Sequence, residues 1–204
     1  MKNPMRFIDR FCYKHPNFGI PNLMKYIVIG AGSRGSIYGT WAHEHGIEIA
    51  AVAELRPDRL AEAGRLWNVP EDRLFTNVND LFALGKIGDA AIIATMDRDH
   101  YGHVMAALDC GYDILLEKPI SPDPKQCLEI EAKANTLGRK ITVCHVLRYT
   151  NFFGKIKDIL DSGELGKIVA IKHSENIGNF HMAHSFVRGN WRNDTLSSPI
   201  IMQK

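Results

Sequence analysis

Five short runs rich in apolar and β-branched residues, set between stretches of helical period, constrain this chain more than any other feature. The runs fall at residues 26–29, 47–53, 90–94, 114–116 and 141–144. Helix-compatible stretches lie between them at 36–45, 57–67, 101–110 and 124–137. Pro57 and Pro124 stand at the first turn of two of these, and Gly111 and Gly138 stop the last two. A strand that is apolar on both faces needs cover on both faces, and helices crossing between consecutive parallel strands supply it. The expectation is an α/β fold, a doubly wound parallel sheet, over residues 24–146.

The flanks read differently. Residues 1–23 hold Pro4, Pro16 and Pro21 and no sustained period, and are expected to form an N-terminal tail. Residues 152–160 have a helical pattern. Residues 168–175 alternate, with Val169, Ile171 and His173 on one side and Ile168, Ala170 and Lys172 on the other. That alternation predicts a strand in a sheet with two different faces. Residues 147–204 are fewer than a typical domain of about 100 residues. They are expected to be an incomplete α+β second domain, for substrate binding and oligomerisation. The unpaired edges of its strand lead to an expectation of self-association into a homo-oligomer.

Composition narrows the function classes. The formal net charge is +2, with 45% apolar and 24% charged residues. A disordered chain is excluded, and so is a nucleic-acid binder working through a one-signed electrostatic face. The apolar runs are far shorter than the roughly 18 residues that span a bilayer, so no membrane partner is expected. The first residues carry Lys2, Arg6, Asp9, Arg10 and Lys14 and no unbroken apolar stretch of the secretory type. Cys12, Cys110, Cys127 and Cys144 form no C-x-x-C pair. Scattered thiols of this kind read as reduced, small core residues, which fits a cytoplasmic protein.

The sharpest local motif is Gly30-Ala31-Gly32-Ser33-Arg34-Gly35, directly after the first apolar run and directly before a helix. In that setting the first glycine makes a tight turn and the second lets the backbone approach a diphosphate. The third lets helix and strand pack closely, and the helix N-terminus holds the phosphates. Glu54 ends the second run, roughly 20 residues further on, where a carboxylate accepts hydrogen bonds from an adenosine ribose. A dinucleotide-binding Rossmann domain is the expectation. Glu54 favours NAD, because it repels the extra phosphate of NADP. Arg34 and Arg56 would instead neutralise that phosphate, so NADP stays open. Methyltransferases also carry a glycine loop here, but usually with an acidic residue just before it; this chain has Ile27, Val28 and Ile29.

Ligands of open α/β sheets bind at the carboxyl ends of the strands. Three later strand ends bring ionisable clusters to that edge: Thr95-Met96-Asp97-Arg98-Asp99-His100, Glu117-Lys118-Pro119, and His145-Val146-Leu147-Arg148-Tyr149. Further on, His173, His181 and His184 occur in a short span. No carboxylate or cysteine completes a metal-ligand pattern with them, so no metal is expected. Together with Arg188, Asn190, Trp191 and Arg192, the residues His181 and His184 suit either a polar substrate pocket or an exposed loop.

These motifs, with Ser162-Gly163-Glu164-Leu165-Gly166 before the strand at 168–175, resemble the Gfo/Idh/MocA oxidoreductases over about residues 24–204. The resemblance implies an NAD(P)-dependent enzyme acting on a hydroxyl or carbonyl of a sugar, cyclitol or similar small molecule. It implies that Lys118 is the catalytic amine, beside nicotinamide and substrate, and that a cis bond precedes Pro119. By the same resemblance Thr95, His100 and Glu117 belong to the cofactor side, with His100 positioning the nicotinamide. His145, Arg148 and Tyr149 begin the substrate pocket, joined by His181 and Trp191. The family's acid/base histidine lies on a later helix that this chain stops short of, so it transfers to no residue here. Two alternatives accompany this reading: a nucleotide-binding fragment without turnover, and an NAD-using glycosidase of the same family.

Overall fold

The computed structural model describes residues 24–203, so the expected tail at 1–23 lies outside the described residues. The described residues form two compact units, one comprising 24–144 with 177–203 and the other 145–176. In the first, six parallel strands alternate with helices: β1 (Lys25–Ile29), α1 (Ser33–Glu44), β2 (Glu48–Ala53), α2 (Pro57–Trp67), β3 (Leu74–Phe75), α3 (Val78–Phe82), β4 (Ala90–Ile93), α4 (His100–Asp109), β5 (Asp113–Leu116), α5 (Pro124–Leu137) and β6 (Ile141–Val143). The strand order is β3-β2-β1-β4-β5-β6, which is the doubly wound order with its reversal between β1 and β4.

Alternate residues along one strand feed two separate cores. Ile27 and Ile29 of β1 pack on one face with Val104, Ala107 and Leu108 of α4 and Ile130 of α5. Val28, between them, packs on the other face with Ala42 of α1 and Leu60, Ala63 and Trp67 of α2. All three β1 residues are buried. Each such side chain contributes about 2 kcal/mol by leaving water. Tyr112 sits wholly inside, its hydroxyl donating to the Gly85 carbonyl at 3.0 Å and accepting from the Ile87 N–H at 2.8 Å.

Helices α2 and α5 begin and end at readable signals. Asp123 caps α5 by accepting from the Lys125 N–H at 2.9 Å, with Pro124 at the first turn. Helix α2 also opens on a proline and closes at Asn68, whose φ of +54° is the left-handed cap conformation. Elements β3 and α3 have no counterpart in the sequence expectation, which assigned nothing between 68 and 89. Two residues of strand give no readable period. Asn77, which caps α3 by accepting from the Asn79 N–H at 3.0 Å, was the available signal. Strand β3 matters for the site, because the Phe75 carbonyl accepts the Glu54 N–H at 3.0 Å and extends the β2 ladder to that residue.

The second unit contains a 3₁₀ turn (Val146–Tyr149) and helix α6 (Asn151–Ser162), capped by the Thr150 hydroxyl. The strand expected at 168–175 is not formed; those residues have no regular structure and are exposed. Strand hydrogen bonds need a neighbouring strand, and none of the described residues pairs with this segment. Residues 177–203, grouped with the sheet, form short turns: α7 (Asn179–His181), a π-turn (Met182–Val187), a 3₁₀ turn (Asn190–Arg192) and α8 (Ile200–Gln203). No described helix is long and apolar enough to cross a membrane.

Candidate functional site

The turn from β1 into α1 is shaped by contacts that exclude side chains. Gly30 has φ +88°, and a Cβ there would lie 2.7 Å from the Ala94 carbonyl oxygen and 3.0 Å from Thr95 Cγ2. A Cβ on Gly35 would stand 1.8 Å from the Gly30 carbonyl oxygen. The first and third glycines are therefore required by the turn itself, which presses against the end of β4. Gly32 is different: the nearest atom to its missing Cβ is Arg59 Nη1, at 3.4 Å. The open side of the loop is thus at the middle glycine, with a flexible cation beside it. Helix α1 has neither a side-chain cap nor an acidic residue in its first turn, so nothing in that turn neutralises its positive end. Ser33 and Arg34, at the start of α1, are exposed. A diphosphate fits this cradle by charge and by the absence of side-chain bulk.

Glu54, one residue past β2, is built into the loop. Its Oε2 accepts the Ala31 N–H at 2.8 Å and its Oε1 accepts the Arg56 N–H at 3.0 Å. The Arg56 guanidinium turns instead to Asp58, with Nε–Oδ1 at 3.1 Å and Nη2–Oδ2 at 2.5 Å. That fork holds the Asp58 carboxyl below its ordinary range. The Nε and Nη2 donors of Arg56 are thereby engaged by Asp58.

At the end of β4, Thr95 Oγ1 lies 3.0 Å from His103 Nδ1. Burial pushes the His103 imidazole below its ordinary value, only partly opposed by Asp99. His100 is fully buried, with Nδ1 2.7 Å from the Pro119 carbonyl and Nε2 3.2 Å from the Thr95 carbonyl. Both ring nitrogens meet the backbone, so His100 ties the loop after β5 to the loop after β4. The Lys118–Pro119 peptide bond is cis. Glu117 is buried and both its oxygens are engaged: Oε1 accepts from the Tyr38 hydroxyl, and Oε2 accepts the Lys118 N–H at 2.9 Å. Burial and Glu117 push the Tyr38 hydroxyl far above its ordinary value, and the same two causes push the neighbouring Cys144 thiol up to about 12.

Asp97, only 2% exposed, accepts from the Trp191 indole N–H at 3.0 Å and from the Ser198 hydroxyl. Arg98 Nη2 donates to the Asp194 carbonyl at 2.8 Å. Trp191 is thereby held at the β4 edge. His181 is exposed and stacks on Phe186, and His184 stacks on Phe180. The glycine loop, Glu54, Arg56, Thr95, His100, Glu117, Lys118, His181 and Trp191 all belong to the sheet unit, whereas His145, Arg148 and Tyr149 are exposed residues of the 145–176 unit. The sequence offers Asp97 only as one member of the Thr95–His100 cluster, and Tyr38, Arg59 and Cys144 not at all as site groups. Tyr38 carried a signal: it lies three residues from Gly35 and four from Ala42, both on the buried stripe of α1, and its polar tip needs a partner there. Nothing local marked Asp97 as buried.

Residues 24–145 match the family model for the Gfo/Idh/MocA oxidoreductases, described as an NAD-binding Rossmann fold. The chain belongs to that family. Residues 24–145 are the family's NAD-binding domain, and the methyltransferase alternative falls away. Inositol 2-dehydrogenase of Corynebacterium glutamicum (strain R) is 29% identical over 148 residues, 71% of this chain and 43% of the relative. The putative oxidoreductase YteT of Bacillus subtilis is 31% identical over 152 residues, 70% of this chain and 34% of the relative. The chain thus spans less than half the length of the curated relatives it matches. A scyllo-inositol dehydrogenase structure from Lactobacillus casei, solved with NAD(H) and scyllo-inositol, has a TM-score of 0.65 at 22% identity, covering 71% of this chain and 43% of that one. At that identity the likeness is one of fold.

Proposed function

We propose that the chain serves an NAD-dependent oxidoreductase that interconverts a hydroxyl and a carbonyl on a cyclitol, polyol or sugar derivative, with Lys118 at the reacting oxygen. The dinucleotide, when bound, supplies the hydride acceptor or donor. The chain's own residues do the rest. Backbone N–H groups of the glycine loop and the start of α1 hold the diphosphate, with Arg34 and Arg59 as added cations. Glu54 takes the adenosine ribose hydroxyls and selects against a 2′-phosphate. The Lys118 ammonium donates to the substrate oxygen and exchanges a proton with it. Thr95 and His100 shape the nicotinamide side of the cleft; His100 does so through the Pro119 and Thr95 carbonyls. His181 and the Trp191 ring are the proposed substrate contacts of the sheet unit, and His145, Arg148 and Tyr149 those of the 145–176 unit, each taken by itself.

The observation that carries the reading is Glu54 bonded into the glycine loop while Arg56 is turned onto Asp58. The substrate class rests on the relatives named as inositol dehydrogenases. A cytoplasmic setting is part of the same reading, supported by Cys110, Cys127 and Cys144, which are free thiols among the described residues. Self-association is supported by the exposed apolar residues Phe152, Val169 and Ile171 and is checked by light scattering.

Calorimetric titration of the full chain with NADH and NADPH is the direct test. NADH should bind at least about tenfold tighter, a difference of about 1.4 kcal/mol, and Glu54→Ala should narrow the gap. Binding of neither nucleotide overturns the reading. In a screen of inositols and sugar alcohols with NAD⁺, Lys118→Ala should cost at least about 100-fold in turnover. Nucleotide binding without any turnover would leave the binding-module alternative.

A further inference from the structure

The glycine-loop helix and the Lys118 turn are joined by one side-chain bridge. Tyr38 projects from α1, four residues beyond Arg34, and its hydroxyl donates to Glu117 Oε1. Glu117 Oε2 accepts the Lys118 N–H at 2.9 Å, and the Glu117 N–H itself donates to the Ile93 carbonyl at 2.9 Å. Glu117 is 8% exposed, and so is Cys144, whose N–H donates to the Leu116 carbonyl at 2.8 Å and closes the end of β6 beside the pair. A buried carboxylate with both oxygens spent on neighbours has little freedom to rotate. The Lys118 peptide it accepts from is then fixed in direction.

We infer that Tyr38 is a positioning residue: through Glu117 it sets the Lys118 turn relative to the helix whose first turn takes the diphosphate. The inference rests on the reading of Lys118 given above and extends it to a residue on a different element. Tyr38 acts here as a permanent donor. Its proton stays on oxygen because burial and the adjacent carboxylate both disfavour the phenolate. The Tyr38 hydroxyl therefore stays a donor, and its role is geometric rather than acid–base. Loss of the hydroxyl leaves a buried carboxylate oxygen without its donor, which frees Glu117 to turn and loosens its hold on the Lys118 amide.

Tyr38→Phe removes only the hydroxyl, and Tyr101→Phe is the matched control. Tyr101 Oη also donates to a carboxylate, Glu129 Oε2 at 2.6 Å, but on the exposed flank of α4 and α5. Two measurements on the full chain separate positioning from general stability. Hydrogen exchange of the peptide covering residues 116–121 should quicken at least about tenfold in Tyr38→Phe and not in Tyr101→Phe. Saturating NADH should slow acylation of the Lys118 amine in the wild type, and this protection should weaken about fivefold in Tyr38→Phe while the NADH Kd stays within about twofold. Unchanged exchange at 116–121, or equal protection of Lys118 in both proteins, would overturn the inference. If wild-type chain binds no NADH, the oxidoreductase reading fails instead, and the exchange comparison still decides whether Tyr38 governs the Lys118 turn.

Discussion

Strand β4 and the segment at 168–175 draw on the same kinds of residue and meet opposite fates. Ala91, Ile92 and Ile93 are at most 2% exposed, flanked by β1 and β5 and covered on both faces. Val169 and Ile171 are 92% and 79% exposed, and no described strand pairs with them. Helix α6 shows the same contrast with α4. Its apolar residues recur at helical spacing, yet none is buried, whereas α4 buries Val104, Ala107 and Leu108. Local pattern decides whether a helix can form, but a strand exists only by its neighbours. The difference between the two units is therefore one of partners, and it shows in where substitutions will hurt.

The largest effect is expected at Gly35. A methyl group there has 1.8 Å to the Gly30 oxygen, which is backbone and cannot swing aside. Gly35→Ala should cost roughly 3 kcal/mol and abolish NADH binding, because the β1–α1 turn must open to admit it. Urea melts with a parallel nucleotide titration check both. A stable variant with normal binding would show that the turn has slack, and would break the contrast at its firmest point.

That same turn explains why the sheet unit was legible. Gly30, Gly32, Gly35 and Glu54 are read from spacing because a diphosphate and a ribose impose the spacing. Helix α5 was bounded to the residue because Pro124 and Gly138 mark both its ends. The site's supporting groups were harder. Asp97 finds its partners, Trp191 and Ser198, roughly a hundred residues away, and Tyr38 finds Glu117 across the sheet. No periodicity carries such pairings. Glu117 and His100 are expected on the cofactor side by resemblance, and the structure gives each of them neighbours within the chain. The strand at 168–175 failed for a third reason: alternation records which face a strand would bury, not whether a partner is at hand.

Next in size comes Tyr112. Its hydroxyl satisfies both the Ile87 N–H and the Gly85 carbonyl inside the sheet unit. Tyr112→Phe leaves both without a partner and should destabilise by about 2 kcal/mol with no change in nucleotide affinity. Affinity falling with stability would mean that the core and the cofactor edge are less separable than their contacts indicate.

His103 should give a smaller effect, visible only on acidification. Burial lowers its value in the folded chain, so below about pH 6.5 the unfolded chain takes up the proton first. Its share of stability is fully present above that pH and is lost as pH falls through the folded value. Between about pH 7.5 and about pH 5.5, urea midpoints should drop more in wild type than in His103→Gln. An equal drop would assign the acid sensitivity to other groups.

The smallest effect is expected in the exposed segment. Ile171→Ser swaps an apolar side chain for a polar one where 79% of it already meets water. Burial supplies little at such a site, so stability should change by no more than about 0.5 kcal/mol, against about 2 kcal/mol for the equivalent change at Ile92. Paired urea melts at two chain concentrations make the comparison. A loss above about 1 kcal/mol at Ile171, growing with concentration, would mean that another copy of the chain covers the segment in solution. In that case the alternation at 168–175 describes a strand completed between molecules rather than within one.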